Sequence, residues 1–205
     1  MTGSVIIHEQ EKTMSLTLRA ALAAVVLIVP VAAELIWPSV GDSGHLLFAA
    51  GQLIGWVLVA TVVRDGAGGH PETSSTRGGR VGRRLLLSGC ALQVLFALVY
   101  GASAVIDGEP AEASFLFFLL GFLATFVGGV VWGPALLRAG LPRLAGVGVL
   151  ATAVLGLLAI AVGVDPFHDV FLLSSYAAWV LVGRGLDAPA RLKRERSSEV
   201  SAASR

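Results

Sequence analysis

Charged residues are scarce in this chain, and their scarcity excludes an ordinary soluble domain. Asp, Glu, Lys and Arg make up 14% of the 205 residues, against about 25% in an average soluble protein. Cysteine is scarcer still, because Cys90 stands alone. An intrachain disulfide and a paired-cysteine metal or redox site are therefore excluded. The sequence also lacks a phosphate-binding glycine loop, a HExxH zinc helix and a GxSxG nucleophile elbow.

Apolar residues are what the sequence has in abundance. They make up 55% of the chain, and the mean hydropathy is +0.79. Stretches long enough to cross about 30 Å of hydrocarbon lie at residues 16–37, 45–63, 85–106, 114–137, 144–164 and 166–182. The predicted fold class is therefore an all-α integral membrane protein, a bundle of six transmembrane helices. No Asp, Glu, Lys or Arg falls at the predicted midplane of a span, which argues against ion coupling through a buried carboxylate.

The segments outside the spans are polar and unpatterned. Residues 1–15 and 184–205 are predicted to be disordered ends, with Met1 or Met14 as the true start. The Gly-, Ser- and Thr-rich residues 64–84 are predicted to form a flexible loop. The first span has two interpretations: a retained helix kinked at Pro30, or a signal peptide cut after Ala33, for which its apolar run is long.

The basic residues predict the orientation of the bundle. All 15 of them lie at the start of span one, between spans two and three, between spans four and five, or after span six. By the positive-inside rule both termini face the cytoplasm, and the compact loops suggest a bacterial cytoplasmic membrane. The basic segments lack interleaved aromatics, so the predicted partner is the lipid bilayer and not nucleic acid. The opposite loops carry only acids, which either attract cations or simply lie where topology tolerates them.

A sequence repeat indicates three helical hairpins. The pattern D-x2-H-x2-F-x2-[GS]-x3-[GA]-W-V-L-V begins at Asp42 and again at Asp165, and a weaker copy begins at Glu112 with Phe115 in the histidine position. Each full copy places a histidine, an amide or hydroxyl residue, and a tryptophan at i, i+7 and i+11, which lie on one helical line. Polar side chains are costly in lipid, so these lines are predicted to face the interior. The predicted cavity-lining residues are His45, Gln52, Trp56, Phe122, Phe126, His168, Ser175 and Trp179.

Those lines leave several kinds of chemistry open. Their polar members could line an outward-facing cavity, or merely hydrogen-bond to a neighbouring helix. Histidine beside carboxylate could bind a divalent metal, change protonation near neutral pH, or simply sit at the wet edge. The sequence requires no cofactor. The metal candidates are Asp42, His45, Asp165 and His168, and the candidates for a general acid are Glu34, Asp165 and Asp169.

Three functions are therefore predicted as alternatives. The first is the binding or transport of a small molecule or ion through the outward-facing cavity. The second is a membrane-embedded enzyme acting on an isoprenoid-like substrate, with the aromatic residues shielding a cationic intermediate. The third is a structural or regulatory subunit that assembles, as a homo-oligomer for example, through small residues at fourfold spacing, such as Gly51, Gly55, Gly121, Gly129 and Gly133.

Overall fold

The computed structural model describes residues 14–36, 42–162 and 167–203, without the side chains of 34, 35, 42, 43, 74 and 188–203. These residues form six α-helices and no strand. Each helix has a stretch long and apolar enough to cross a membrane, so the predicted all-α, multi-pass membrane class is confirmed. The helices are α1 Leu16–Ile36, α2 Asp42–Gly69, α3 Arg77–Asp107, α4 Ser114–Arg138, α5 Arg143–Val162 and α6 Phe167–Ala203.

The helices close into a ring. Each packs against its neighbours in sequence, and α6 returns to pack against α1. Helix α2 also reaches α6 across the ring. At the centre the indole of Trp56 on α2 meets the ring of Phe122 on α4 and the ring of Tyr176 on α6. The even-numbered helices therefore converge on one aromatic core.

Large apolar side chains cover the outside of the bundle. Examples are Val25, Leu98, Phe115, Val154 and Val170, each from a different helix and each more than half exposed except Val154. Isolated exposed apolar residues are ordinary, but a continuous apolar surface is not expected in contact with water. Lipid chains are the environment that suits it, as the hydropathy of the spans predicts.

Three helices run further than the sequence predicts. Residues 64–84 were expected to be a flexible loop, yet α2 continues to Gly69, a single 3-10 turn covers Pro71–Ser74, and α3 begins at Arg77. Thr76 caps α3 by accepting a hydrogen bond from the Gly79 amide at 3.0 Å. Local capping thus starts the helix where apolar periodicity gives no signal. Helix α6 likewise continues to Ala203, through residues that were predicted to be disordered.

The first turn of α1 is capped from the far end of the chain. The Asp187 carboxylate accepts hydrogen bonds from the Leu16 amide at 3.1 Å, the Thr17 amide at 2.9 Å and the Thr17 hydroxyl at 2.7 Å. Amides in the first turn of a helix have no partner within the helix, and a carboxylate also suits the positive end of the helix dipole. The carboxylate therefore ties α6 to the start of α1.

Glycine lets α3 and α4 approach each other closely. A Cβ atom at Gly128 would lie 2.5 Å from the Leu86 amide nitrogen, and one at Gly89 would lie 2.6 Å from the Thr125 amide nitrogen. Both clashes are with backbone, which cannot turn aside as a side chain can. The small-residue positions predicted from the sequence also face neighbouring helices of the same chain: Gly51 and Gly55 face α1, Gly121 faces α3, and Gly129 and Gly133 face α5. Assembly of several copies through these glycines stays a prediction.

We expect Gly128→Ala to destabilise the bundle by about 1–3 kcal/mol, because the added methyl group must push α3 and α4 apart. Gly78→Ala is the matched control, since a Cβ at Gly78 meets nothing within 4 Å and alanine favours a helix more than glycine does. Thermal unfolding of the purified protein in detergent measures both variants. Equal melting temperatures for the two variants would contradict the close approach of α3 and α4.

Candidate functional site

A groove opens at the end of the bundle that carries the α3–α4 connection, which we call the acidic end. It has a volume of about 380 Å³ and lies between α2, α3 and the start of α4. The volume falls within the range of about 300–1,000 Å³ that is typical of small-molecule sites. Its lining residues are Phe48, Phe96, Tyr100, Pro110, Ala111, Glu112, Ser114, Phe115 and Phe118.

The α3–α4 connection forms one wall of the groove because it folds back onto α3. Helix α3 ends at Asp107 and is capped by Gly108, whose φ of 77° is the left-handed conformation that glycine adopts easily. The Ser103 hydroxyl then accepts a hydrogen bond from the Ala111 amide at 2.8 Å and donates one to the Tyr100 carbonyl at 3.1 Å. These bonds fix Pro110, Ala111 and Glu112 beside the last turns of α3.

Aromatic rings form the other walls. The ring centroids of Phe96 and Phe118 are 5.0 Å apart, those of Phe96 and Tyr100 are 5.3 Å apart, and those of Phe48 and Tyr100 are 5.6 Å apart. The planes of these pairs are tilted by 57–59°. Such distances and tilts are those of favourable aromatic contacts. The groove is therefore bounded by rings from three different helices.

The same rings connect the groove to the middle of the bundle. Phe118 is 4.5 Å from Phe122 between centroids, Phe122 is 5.9 Å from Trp56, and Trp56 is 6.1 Å from Tyr176. This series of contacts is called the aromatic path. It crosses from α4 to α2 and α6, so a series of ring contacts joins the groove to the centre of the bundle.

The charge at the acidic end has one sign. Glu112 lines the groove, and Asp107 and Glu109 belong to the same exposed turn of chain. Every Lys and Arg whose side chain the structure describes lies at the opposite end, namely Arg19, Arg64, Arg77, Arg80, Arg83, Arg84, Arg138, Arg143 and Arg184. The mouth of the groove therefore carries negative potential, which favours cations.

Most of the predicted cavity-lining residues are buried in the core. Gln52, Trp56, Phe122, Phe126, Ser175 and Trp179 are each 2% exposed or less. The Trp56 indole donates to the Gln52 side-chain oxygen at 2.8 Å, and the Ser175 hydroxyl donates to the Thr152 carbonyl at 3.0 Å. The side chains of Gln52 and Ser175 thus each make a hydrogen bond within the bundle. The groove has a different lining, and the cavity-lining role of these residues stays a prediction.

The two histidines of the repeated pattern, His45 and His168, hydrogen-bond to different helices. His45 and the Tyr100 hydroxyl on α3 share a hydrogen bond of 2.7 Å, whereas His168 donates through Nδ1 to the Ala159 carbonyl on α5 at 2.9 Å. Among the described residues no three His, Cys, Asp or Glu side chains come together as a metal site would require. Asp165 and the Asp42 side chain lie outside the described residues, so the metal prediction itself stays untested.

The predicted general acids are only partly described. Asp169 is half-buried in the first turn of α6. Asp165 and the side chain of Glu34 lie outside the described residues. Their catalytic role therefore stays a prediction.

Sequence reasoning missed the groove and its lining. Phe96 and Tyr100 stand at i and i+4 on α3, which puts them on one helix face, and an acidic turn follows directly. That pairing of aromatic residues with a carboxylate was the available signal. What the sequence could not provide was the neighbour that completes the site, because Phe48 comes from α2 and Phe118 from α4.

Comparison of the chain with known protein families, with curated proteins and with solved structures finds no match.

We expect Phe122→Ala to destabilise the protein by about 3 kcal/mol, because it removes the ring that joins Phe118 to Trp56 and leaves a cavity. The tryptophan emission should shift as well, since Trp56 loses a ring contact. Phe115→Ala is the control: Phe115 is 62% exposed, and we expect a loss under about 1 kcal/mol. Thermal unfolding and emission spectra measure both variants. Equal losses would contradict the aromatic path as a core element.

Proposed function

We propose that this protein binds a small molecule from the outer side of a bacterial cytoplasmic membrane, in the groove at the acidic end. The observation that carries the proposal is the groove itself, which combines a volume of about 380 Å³ with walls of aromatic side chains from three helices. Sites for small molecules are typically concave and mostly apolar, with a few polar groups that fix orientation. Glu112, Ser114 and the hydroxyl of Tyr100 are the polar side-chain groups of this lining.

The orientation is part of the proposal. The basic residues whose side chains the structure describes lie at one end of the bundle, and the groove lies at the other. Loops on the cytoplasmic side of a membrane are enriched in Lys and Arg. This supports an arrangement with both termini in the cytoplasm and the groove open to the outside. The burial of Gln52, Phe122 and Ser175, which occupy matching positions in the sequence pattern, supports a proposed origin of the bundle as three copies of one hairpin.

Binding suits the groove better than catalysis does. A general acid works best in an enclosed site that raises its pKa and excludes water, whereas the Glu112 side chain is exposed in an open groove. Transport would require the packed rings of the aromatic path to move apart, because Trp56 and Phe122 are almost fully buried. Binding requires no such rearrangement and is the function we propose.

Labelling of introduced cysteines tests the orientation. Cys90 is the native cysteine, so a Cys90→Ala background can carry either Glu109→Cys in the α3–α4 connection or Ser75→Cys at the opposite end. A membrane-impermeant maleimide should label the first variant and not the second on intact bacterial cells, and both after the membrane is opened. Labelling of Ser75→Cys alone on intact cells would reverse the proposed orientation.

Filling the groove tests the binding site. Fluorine NMR can follow two probes, para-fluorobenzyltrimethylammonium and its uncharged counterpart para-fluoroneopentylbenzene, with protein in phosphatidylglycerol nanodiscs and with empty nanodiscs to subtract partitioning. At least one probe should bind saturably. Ala111→Phe should weaken that binding about tenfold by occupying the groove, because Ala111 lines it.

Ala113→Phe is the matched control for the filled groove. It adds the same ring two residues away, at an exposed position outside the lining, and should leave binding unchanged. Saturable binding of neither probe, or binding that Ala111→Phe leaves intact, would overturn the proposed function.

A further inference from the structure

We propose that the ligand class of the groove is a small aromatic cation, with an ammonium group held between ring faces and the Glu112 carboxylate. The inference rests on the proposed function and deepens it. It is carried by three features of the groove: the orientation of its rings, the position of its carboxylate, and the charge of the end at which it opens.

The rings offer a cation more than apolar contact. The face of an aromatic ring is the negative part of its quadrupole, and an ammonium group within about 6 Å of a ring centroid is attracted to it. Phe48, Phe96, Tyr100 and Phe118 lie within 5.0–6.2 Å of one another in pairs, at tilts of 57–76°. All four rings line the same groove, so a charge bound there lies beside several of them.

A hydrogen bond holds one of these rings in place. His45 bonds the Tyr100 hydroxyl at 2.7 Å, and the Tyr100 ring packs against Phe48 and Phe96. A ring whose position is fixed before binding loses little conformational entropy when the ligand arrives. His45, which sequence reasoning singled out as a candidate metal ligand, thus becomes a positioning residue for the aromatic wall.

The carboxylate selects the sign of the ligand. Glu112 lies in the groove lining and follows Asp107 and Glu109 in a connection without Lys or Arg. A neutral ligand would gain only apolar contact there, and an anion would be repelled. The combination of ring faces with a carboxylate favours a cation over both.

The size and shape of the groove favour an aromatic substituent on that cation. A space of about 380 Å³ exceeds what an ammonium group fills, since small-molecule pockets of this size hold a whole ligand. Phe115 and Phe118 lie nearly parallel, at 25° with centroids 5.7 Å apart. A flat aromatic group can stack on such a surface in the offset arrangement that rings prefer.

The same pair of probes tests the ligand class. They match in shape and differ in charge, so we expect wild-type protein to bind the ammonium probe about tenfold more tightly, as cation–π contacts and a carboxylate together predict. Glu112→Gln should weaken the binding of the ammonium probe about threefold to fivefold and leave the affinity for the neutral probe unchanged. Glu72→Gln removes the same charge at the opposite end of the bundle and should change the affinity for neither probe.

A second variant tests the ring face without touching the charge. Phe115→Leu keeps an apolar side chain and removes the quadrupole of the aromatic ring. It should weaken the binding of the ammonium probe about twofold to threefold, with little effect on the affinity for the neutral probe. Phe167→Leu is its control, because Phe167 is 61% exposed against 62% for Phe115 and lies on α6 outside the lining. Both positions are on the surface, so the fold should survive either change.

The outcomes separate the two proposals. Equal affinity for both probes, still weakened by Ala111→Phe, would keep the proposed function and overturn the cation inference. Binding of neither probe would overturn both. Phosphatidylcholine carries the same ammonium chemistry on a lipid, so the ammonium titration is repeated in nanodiscs that contain it. Undiminished affinity supports a free ligand, and a loss of affinity would assign the groove to the lipid headgroup and overturn the inference.

Discussion

The close approach of α3 and α4 is the constraint on which the rest of the structure depends. Backbone meets backbone at Gly89 and Gly128, where no side chain other than hydrogen would fit. Lipid supplies little hydrophobic drive for helices to associate, so packing at such small residues has to hold them together. The same approach brings the ring of Phe96 on α3 against the ring of Phe118 on α4, with centroids 5.0 Å apart. Both rings belong to the lining of the groove. The packing of α3 against α4 therefore also determines the geometry of the groove.

The bundle divides its polar and aromatic side chains by position. The basic residues whose side chains the structure describes lie at one end of the bundle, and the groove opens beside acidic residues at the other end. Between them, some polar groups pair locally, as the Gln52 side-chain oxygen does with the Trp56 indole and the Ser175 hydroxyl with the Thr152 carbonyl. Polar atoms in lipid are costly unless they are paired. The groove at the acidic end is open, and its lining includes the Glu112 carboxylate and aromatic rings.

The sequence predicts the class of this fold well because lipid imposes simple rules. Six apolar stretches became six helices with nearly the predicted ends in α1, α4 and α5. The burial of Gln52 and Ser175 also agrees with the rule that polar side chains turn inward. The ends of α2 and α3 were missed, because the cap at Thr76 is a local contact that hydropathy does not register. The groove was missed because it depends on which helices become neighbours, and on the Ser103 bond that folds the chain back at Ala111.

The cap on α1 has a consequence for the order in which the protein is made. The amides of Leu16 and Thr17 are among the first described, and the carboxylate that satisfies them belongs to Asp187, 170 or more positions later. Until the ribosome has produced that aspartate, the amides of Leu16 and Thr17 must bond to other partners, such as water or lipid headgroups. The contact between α6 and α1 closes the ring of helices. It therefore forms only after α6 has been synthesised and has packed against α1.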